Sequence, residues 1–218
     1  MLKKWNISYN PYFFFPFLVW IVFGGMAQLL FTKEQLFFAI NARYTSFTDV
    51  LMYYITWLGE GRFIVIFLLL LFATPRLRSL WFFVTGTLCS VVPLIIQQFL
   101  KEYFKAPRPH SYFHGSSAMH FLPAWPSLVN NSFPSGHSEG AFSFFCLLSL
   151  IVPEKYIKAG WIFFLLAISV CYSRIYLTAH FFEDVYAGSI IGCMVTTIIF
   201  SIMTRYKTRL AIKKDPLS

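Results

Sequence analysis

The sequence predicts an all-α integral membrane protein: a six-transmembrane-helix bundle with an interfacial amphipathic helix after the first span and one long extracytoplasmic loop. Three observations predict this class. Of the 218 residues, 57% are hydrophobic and only 12% charged, about half the charged share of a soluble domain. Mean hydropathy is +0.62. The apolar residues fall into six runs that lack the alternating period of a barrel strand, so helices are the way to span a bilayer. One bundle is the natural organisation, and residues 1–218 read as a single domain.

The elements follow in order. Met1–Asn10 carries two lysines and leads into an aromatic first span over residues 12–31. It has no small-x-small cleavage site and reads as a retained helix, not a cleaved leader. Residues 32–54 mix Lys33, Glu34, Asn41, Arg43 and Asp49 with Leu36, Phe37, Phe38 and Ile40. That stretch is too polar to span and reads as an interfacial amphipathic helix. Further spans are predicted over residues 55–74, 79–100, 138–153, 159–178 and 184–203. The second and fourth of the six are marginal against the roughly 20 apolar residues a crossing requires. Residues 101–137 form the long loop, with five prolines, and loops of that length are commonly functional. Cys89, Cys146, Cys171 and Cys193 all lie inside apolar runs, where free Cys behaves as a small hydrophobe.

The net charge of +9 does not form a basic stripe, which speaks against nucleic acid as a partner. The cations gather at segment ends. With the N-terminus in the cytoplasm, the inner segments hold Lys3, Lys4, Arg76, Arg78, Lys155, Lys158, Arg205, Lys207, Arg209, Lys213 and Lys214. This is the positive-inside pattern.

Three strings carry chemistry, and all fall on the opposite, extracytoplasmic side. The first is Lys101-x6-Arg108-Pro109, where the third span ends. Basic residues at such a place commonly snorkel to the interface. Lys101 and Arg108 can equally clamp a phosphate, the guanidinium by bidentate hydrogen bonds. Pro107 and Pro109 restrict the backbone on either side of Arg108. The second is Pro134-Ser135-Gly136-His137 before a helical pattern. It reads either as an ordinary capped helix start or as a turn whose N–H groups face an anion. The third is Ser173-Arg174-x5-His180-x3-Asp184. His180 and Asp184 stand four apart and share one helical face, as an ion pair or as a carboxylate that sets the imidazole tautomer. Glu139 lies two residues beyond His137, where it could contact that ring or tune substrate admission. His110, His114 and His120 have no metal-ligand spacing and read as loop residues.

The three strings, in this order and among six apolar runs, resemble the type 2 phosphatidic acid phosphatase superfamily of membrane lipid phosphatases. That superfamily also includes soluble vanadium haloperoxidases and acid phosphatases. Asn41 and Asp49 before Leu58-Gly59 also resemble the run that precedes the second helix in bacterial members. The resemblance implies that His180 attacks phosphorus to give a phosphohistidine, while Asp184 orients it. It implies that His137 protonates the leaving oxygen and then activates water. Lys101, Arg108, Arg174, Ser135 and the Gly136 N–H would neutralise the equatorial oxygens. With three cations in place no metal or other cofactor is expected.

The function expected is hydrolysis of a terminal phosphate monoester or diphosphate of a lipid, such as undecaprenyl diphosphate, lipid A or a glycerophospholipid. The expected setting is the bacterial inner membrane with the site facing the periplasm, and no protein partner is expected. The alternative is a phosphorylated-lipid binding or transport protein without turnover. It is disfavoured because the ionisable residues gather at one face and no span is broken at its middle. A peroxidase is disfavoured because the known ones are soluble and larger.

Overall fold

The structure, a computed structural model, describes residues 9–114, 116–123 and 129–213, with side chains to residue 207. The expectation for Met1–Asn10 therefore lies largely outside the described residues, as do residues 115 and 124–128 of the long loop. Every described element is helical: α1 Pro11–Leu30, α2 Lys33–Asn41, α3 Ser46–Ile55, a 3-10 turn Thr56–Gly59, α4 Gly61–Ala73 and α5 Leu80–Phe104. After these come α6 Pro109–Tyr112, α7 Gly136–Ile151, a 3-10 turn Glu154–Tyr156, α8 Ala159–Tyr176 and α9 Phe182–Lys213.

Among the described residues four helices (α1, α5, α8 and α9) are long and apolar enough to cross a membrane, and the α3–α4 pair, bent by 58°, passes the same test as one broken span, which corrects the expectation that no span is broken at its middle. The chain is an integral membrane protein. The expected first, third, fifth and sixth spans coincide with α1, α5, α8 and α9 within a few residues, apart from α9 continuing well past residue 203. The fourth appears as α7, only 16 residues long. The expected interfacial helix over 32–54 is two helices. Thr45 and Thr48 form a reciprocal capping box that starts α3 afresh, as Thr32 and Gln35 do for α2. The expected second span begins earlier than residue 55, because α3 feeds through the 3-10 turn into α4. Gly59-Glu60-Gly61 marks the bend.

The core centres on α7. Ten of its 16 residues are buried, and it packs on α9, α8, α5 and α4. Phe13 and Phe17 of α1 meet Phe142 of α7 and Phe164 of α8 at centroid distances of 5.5 to 6.5 Å. The α7–α9 seam is close because Gly188 and Gly192 of α9 lie against the α7 backbone at Ser135 and Glu139. The four cysteines are free and buried in this core. The outer helices instead expose Phe15, Phe23, Leu29, Ile66, Leu70, Ile95 and Phe99, a surface suited to acyl chains. Between α4 and α5 an apolar cleft of about 190 Å³ is lined by Val65, Leu68, Phe72, Phe82 and Val91.

Candidate active site

All three strings meet at one end of the bundle, where α5 finishes, α7 begins and α8 turns into α9. The α8–α9 turn is tight. The amides of Ala179 and His180 both donate to the carbonyl of Arg174, at 3.0 and 3.2 Å. Thr178 adopts a left-handed φ of 56°. His180 sits in this turn, not on a helix, which corrects the expected shared helical face. Asp184, in the first turn of α9, reaches back instead. Its Oδ2 accepts the Phe181 amide at 2.9 Å and stands 3.4 Å from His180 Nδ1. Ser132 donates its hydroxyl to the same Oδ2 at 2.5 Å and lies 3.4 Å from Nδ1.

The other ring nitrogen, Nε2, faces Arg108 Nη1 at 3.3 Å. His180 is 2% exposed. Burial, then the charges of Arg108, Arg174 and Lys101, push its pKa well below the ordinary 6.5. A neutral imidazole with a carboxylate on the Nδ1 side keeps its proton there and presents a lone pair from Nε2.

Arg108 caps α6, with Pro109 at the first helical position. Its guanidinium is already engaged: Nε donates to Asn130 O at 2.9 Å, Nη2 to Asn131 O at 3.3 Å and Nη1 to Ala179 O at 3.1 Å. Five donors exist in total, so a fully bidentate grip on an incoming anion requires some of these bonds to yield. Arg174, 1% exposed in the last turn of α8, donates to Thr56 Oγ1 at 2.8 Å. Lys101 is half-buried in the last turn of α5, where the helix carbonyl end favours a cation.

Ser135 is the N-cap of α7. Its oxygen accepts the Ser138 amide and hydroxyl at 3.4 and 3.0 Å, and its amide donates to Asp184 O at 3.0 Å. The hydroxyl thus serves the capped-helix role, while the α7 N-terminus points its dipole at the cluster. Gly136 lies against the Gln97 amide: a Cβ there would approach to 3.3 Å. His137, half-buried, lies within electrostatic reach of His180, Arg174, Lys101 and Arg108.

His137 meets a carboxylate that lies outside the three strings and is not Glu139. Its Nε2 stands 3.0 Å from Glu60 Oε2, brought over α7 by the bend before α4. Gly59 permits the approach, because a Cβ there would collide with the His137 carbonyl. An acid between two glycines in an otherwise apolar stretch was the available signal for Glu60. Ser132 and Thr56 carried no comparable signal. Glu139 lies 3% exposed in the α7–α9 seam, and its Oε1 has no hydrogen-bond partner. His120 is engaged by Asp49 at 2.6 Å and stacks on Tyr44 at a centroid distance of 3.9 Å.

Residues 79–207 match the PAP2 superfamily. The chain belongs to that superfamily. It is 27% identical over 186 residues to the lipid A 1-phosphatase of Rhizobium johnstonii, covering 82% of this chain and 64% of that relative. The chain thus spans just under two thirds of that protein's length. It also resembles the crystal structure of Aquifex aeolicus LpxE, with a TM-score of 0.65, 29% identity and coverage of 77% of this chain and 94% of that one. A PAP2-type phosphatidylglycerolphosphate phosphatase from Bacillus subtilis shares the fold at a TM-score of 0.66, with 21% identity and 89% and 96% coverage. Membership accounts for the joint recurrence of the three strings and for the apolar helices that surround them.

Proposed function

We propose that the chain is a metal-independent integral membrane phosphatase that removes a terminal phosphate from a lipid through a phosphohistidine. One observation carries the reading. A buried, neutral His180 presents Nε2 to Arg108 at 3.3 Å while Nδ1 is backed by Asp184 at 3.4 Å. Phosphate oxygens seated on Arg108, Lys101 and Arg174 place phosphorus before Nε2. The N–P bond forms as the P–O bond to the lipid breaks, and His137, entering the step as an imidazolium paired with the Glu60 carboxylate at 3.0 Å, gives the departing oxygen a proton. His137, now a base, takes a proton from water. The resulting hydroxide displaces His180 and inorganic phosphate leaves. Asp184 and Ser132 hold the His180 tautomer throughout, and Glu60 orients His137.

The catalytic end lies opposite Arg76, Arg78, Lys155 and Lys158, and the positive-inside rule supports reading it as the extracytoplasmic end; a bacterial inner membrane is the setting proposed. Six crossings are reached if α7 counts as a span. At 1.5 Å per residue it is short of the roughly 30 Å hydrocarbon core. Because α7 is enclosed by other helices and meets little lipid, the mismatch is tolerated. Lipid A phosphate is the leading substrate because the Rhizobium relative bears that name; undecaprenyl diphosphate, phosphatidylglycerophosphate and phosphatidic acid are the competitors.

The test is phosphate release by detergent-purified protein on these four lipids, beside His180→Ala. Release that vanishes in the variant supports the reading, and release that persists in it refutes the nucleophile. EDTA should leave the rate unchanged, since the three cations already neutralise the transferring group.

A further inference from the structure

Asn41 lies at the end of α2, outside the cluster above, and is wholly buried. Its amide nitrogen, with two hydrogens to give, stands 2.9 Å from Tyr176 O, 3.0 Å from Thr178 Oγ1 and 3.1 Å from His120 O, and its oxygen accepts the His120 amide at 2.9 Å. Tyr176 O is one of the last carbonyls of α8, which the helix itself leaves unsatisfied. Thr178 holds the left-handed φ of 56°, a conformation a β-branched residue keeps only when its surroundings impose it. Its hydroxyl in turn donates to His120 O at 2.6 Å. One side chain therefore ties α2, the outer loop and the turn that ends, two residues later, at His180.

We propose that Asn41 is a positioning residue for the His180 nucleophile, acting through Thr178. The assignment rests on the phosphohistidine reading above. Asn41 holds Thr178 in its left-handed state, and that state aims the Ala179 carbonyl at Arg108 and the His180 ring at Asp184. The interfacial segment thus bears on the chemistry and is more than a platform on the lipid surface. Asp49 reinforces the same junction, accepting the Tyr176 hydroxyl at 2.5 Å and bonding His120 at 2.6 Å.

The experiment measures kcat and KM for wild type, Asn41→Ala, Thr178→Val and the double variant Asn41→Ala with Thr178→Gly, with His180→Ala as the blank. Asn41→Ala is expected to lose about tenfold or more in kcat with KM held within about twofold, because aim is lost and binding is kept. Glycine adopts φ 56° without strain, so the double variant should regain several-fold in kcat, which a merely structural defect would not allow. Thr178→Val keeps the shape and removes the hydroxyl. It carries the test if Asn41→Ala does not fold, and its kcat should fall likewise. Wild-type kcat in both Asn41→Ala and Thr178→Val, a rise in KM alone, or no rescue by glycine overturns the assignment. A wild type no more active than His180→Ala defeats the phosphatase reading itself, and this assignment with it.

Discussion

Replacing Gly188 by alanine tests whether the two histidines work as one unit. A Cβ at Gly188 would stand 2.5 Å from the Ser135 carbonyl oxygen, whereas ordinary contact begins at 3.4 Å. Relief requires the start of α7 and the second turn of α9 to part by about 0.9 Å. The amide of Ser135 donates to Asp184 O at 3.0 Å, and the same parting stretches that bond past useful length. His137 then moves relative to His180 by nearly 1 Å, a misplacement that typically lowers turnover about 100-fold, or about 2.7 kcal/mol. Overpacking destabilises the fold by a further 1–3 kcal/mol or so. Phosphate release and a thermal melt measured on the same preparations separate the two effects. Gly61→Ala is the control, since nothing lies within 4 Å of its added Cβ. A folded Gly188→Ala protein with kcat within about twofold of wild type would refute the reasoning.

Other expectations follow from single contacts. Ser132→Ala removes the hydroxyl donated to Asp184 at 2.5 Å, and kcat should fall about tenfold or more, since a hydrogen bond to a charged group is worth about 1.5–3 kcal/mol. Glu60→Gln weakens the hold on His137, so hydrolysis of a lipid monoester should suffer more than that of p-nitrophenyl phosphate, whose leaving group needs no proton. On the proposed mechanism protonation of His180 removes the attacking lone pair, and burial beside cations lowers its proton affinity. Loss of kcat/KM through this group on acidification should therefore set in below pH 6.5, seen in a pH–rate profile. Glu139→Gln deletes a buried carboxyl whose Oε1 has no partner. It should keep its activity and melt no lower than wild type.

The cluster that forms the candidate site was largely legible because its parts are local strings. Lys101, Arg108, Ser135, Gly136, His137, Arg174, His180 and Asp184 all fall at one end of the bundle. What escaped depends on tertiary geometry. Glu60 meets His137 only because the chain bends by 58° at the Gly59–Gly61 corner, and no hydrophobic period encodes that angle. Ser132 matters through Asp184, 52 residues away. The commitment of Arg108 to three backbone carbonyls is likewise invisible in a motif, since carbonyls have no residue type. Composition marked residues 32–54 as interfacial. The break into α2 and α3 instead hung on the Thr45–Thr48 capping box, a local signal that the apolar pattern masked.

The bend at Glu60 also separates the site into parts with different mechanical loads. His137 and Asp184 ride on the tightly joined α7–α9 pair, and His180 sits in the turn that leads into α9. Glu60 stands where the 3-10 turn, packed on α7 and α8, hands over to α4, which touches α5 only thinly. Stretching or thinning the bilayer tilts a peripheral helix before it disturbs an enclosed one. On the proposed mechanism a tilt of α4 reaches Glu60, and through it His137, before it reaches His180, and rates compared in thin and thick bilayers would show it.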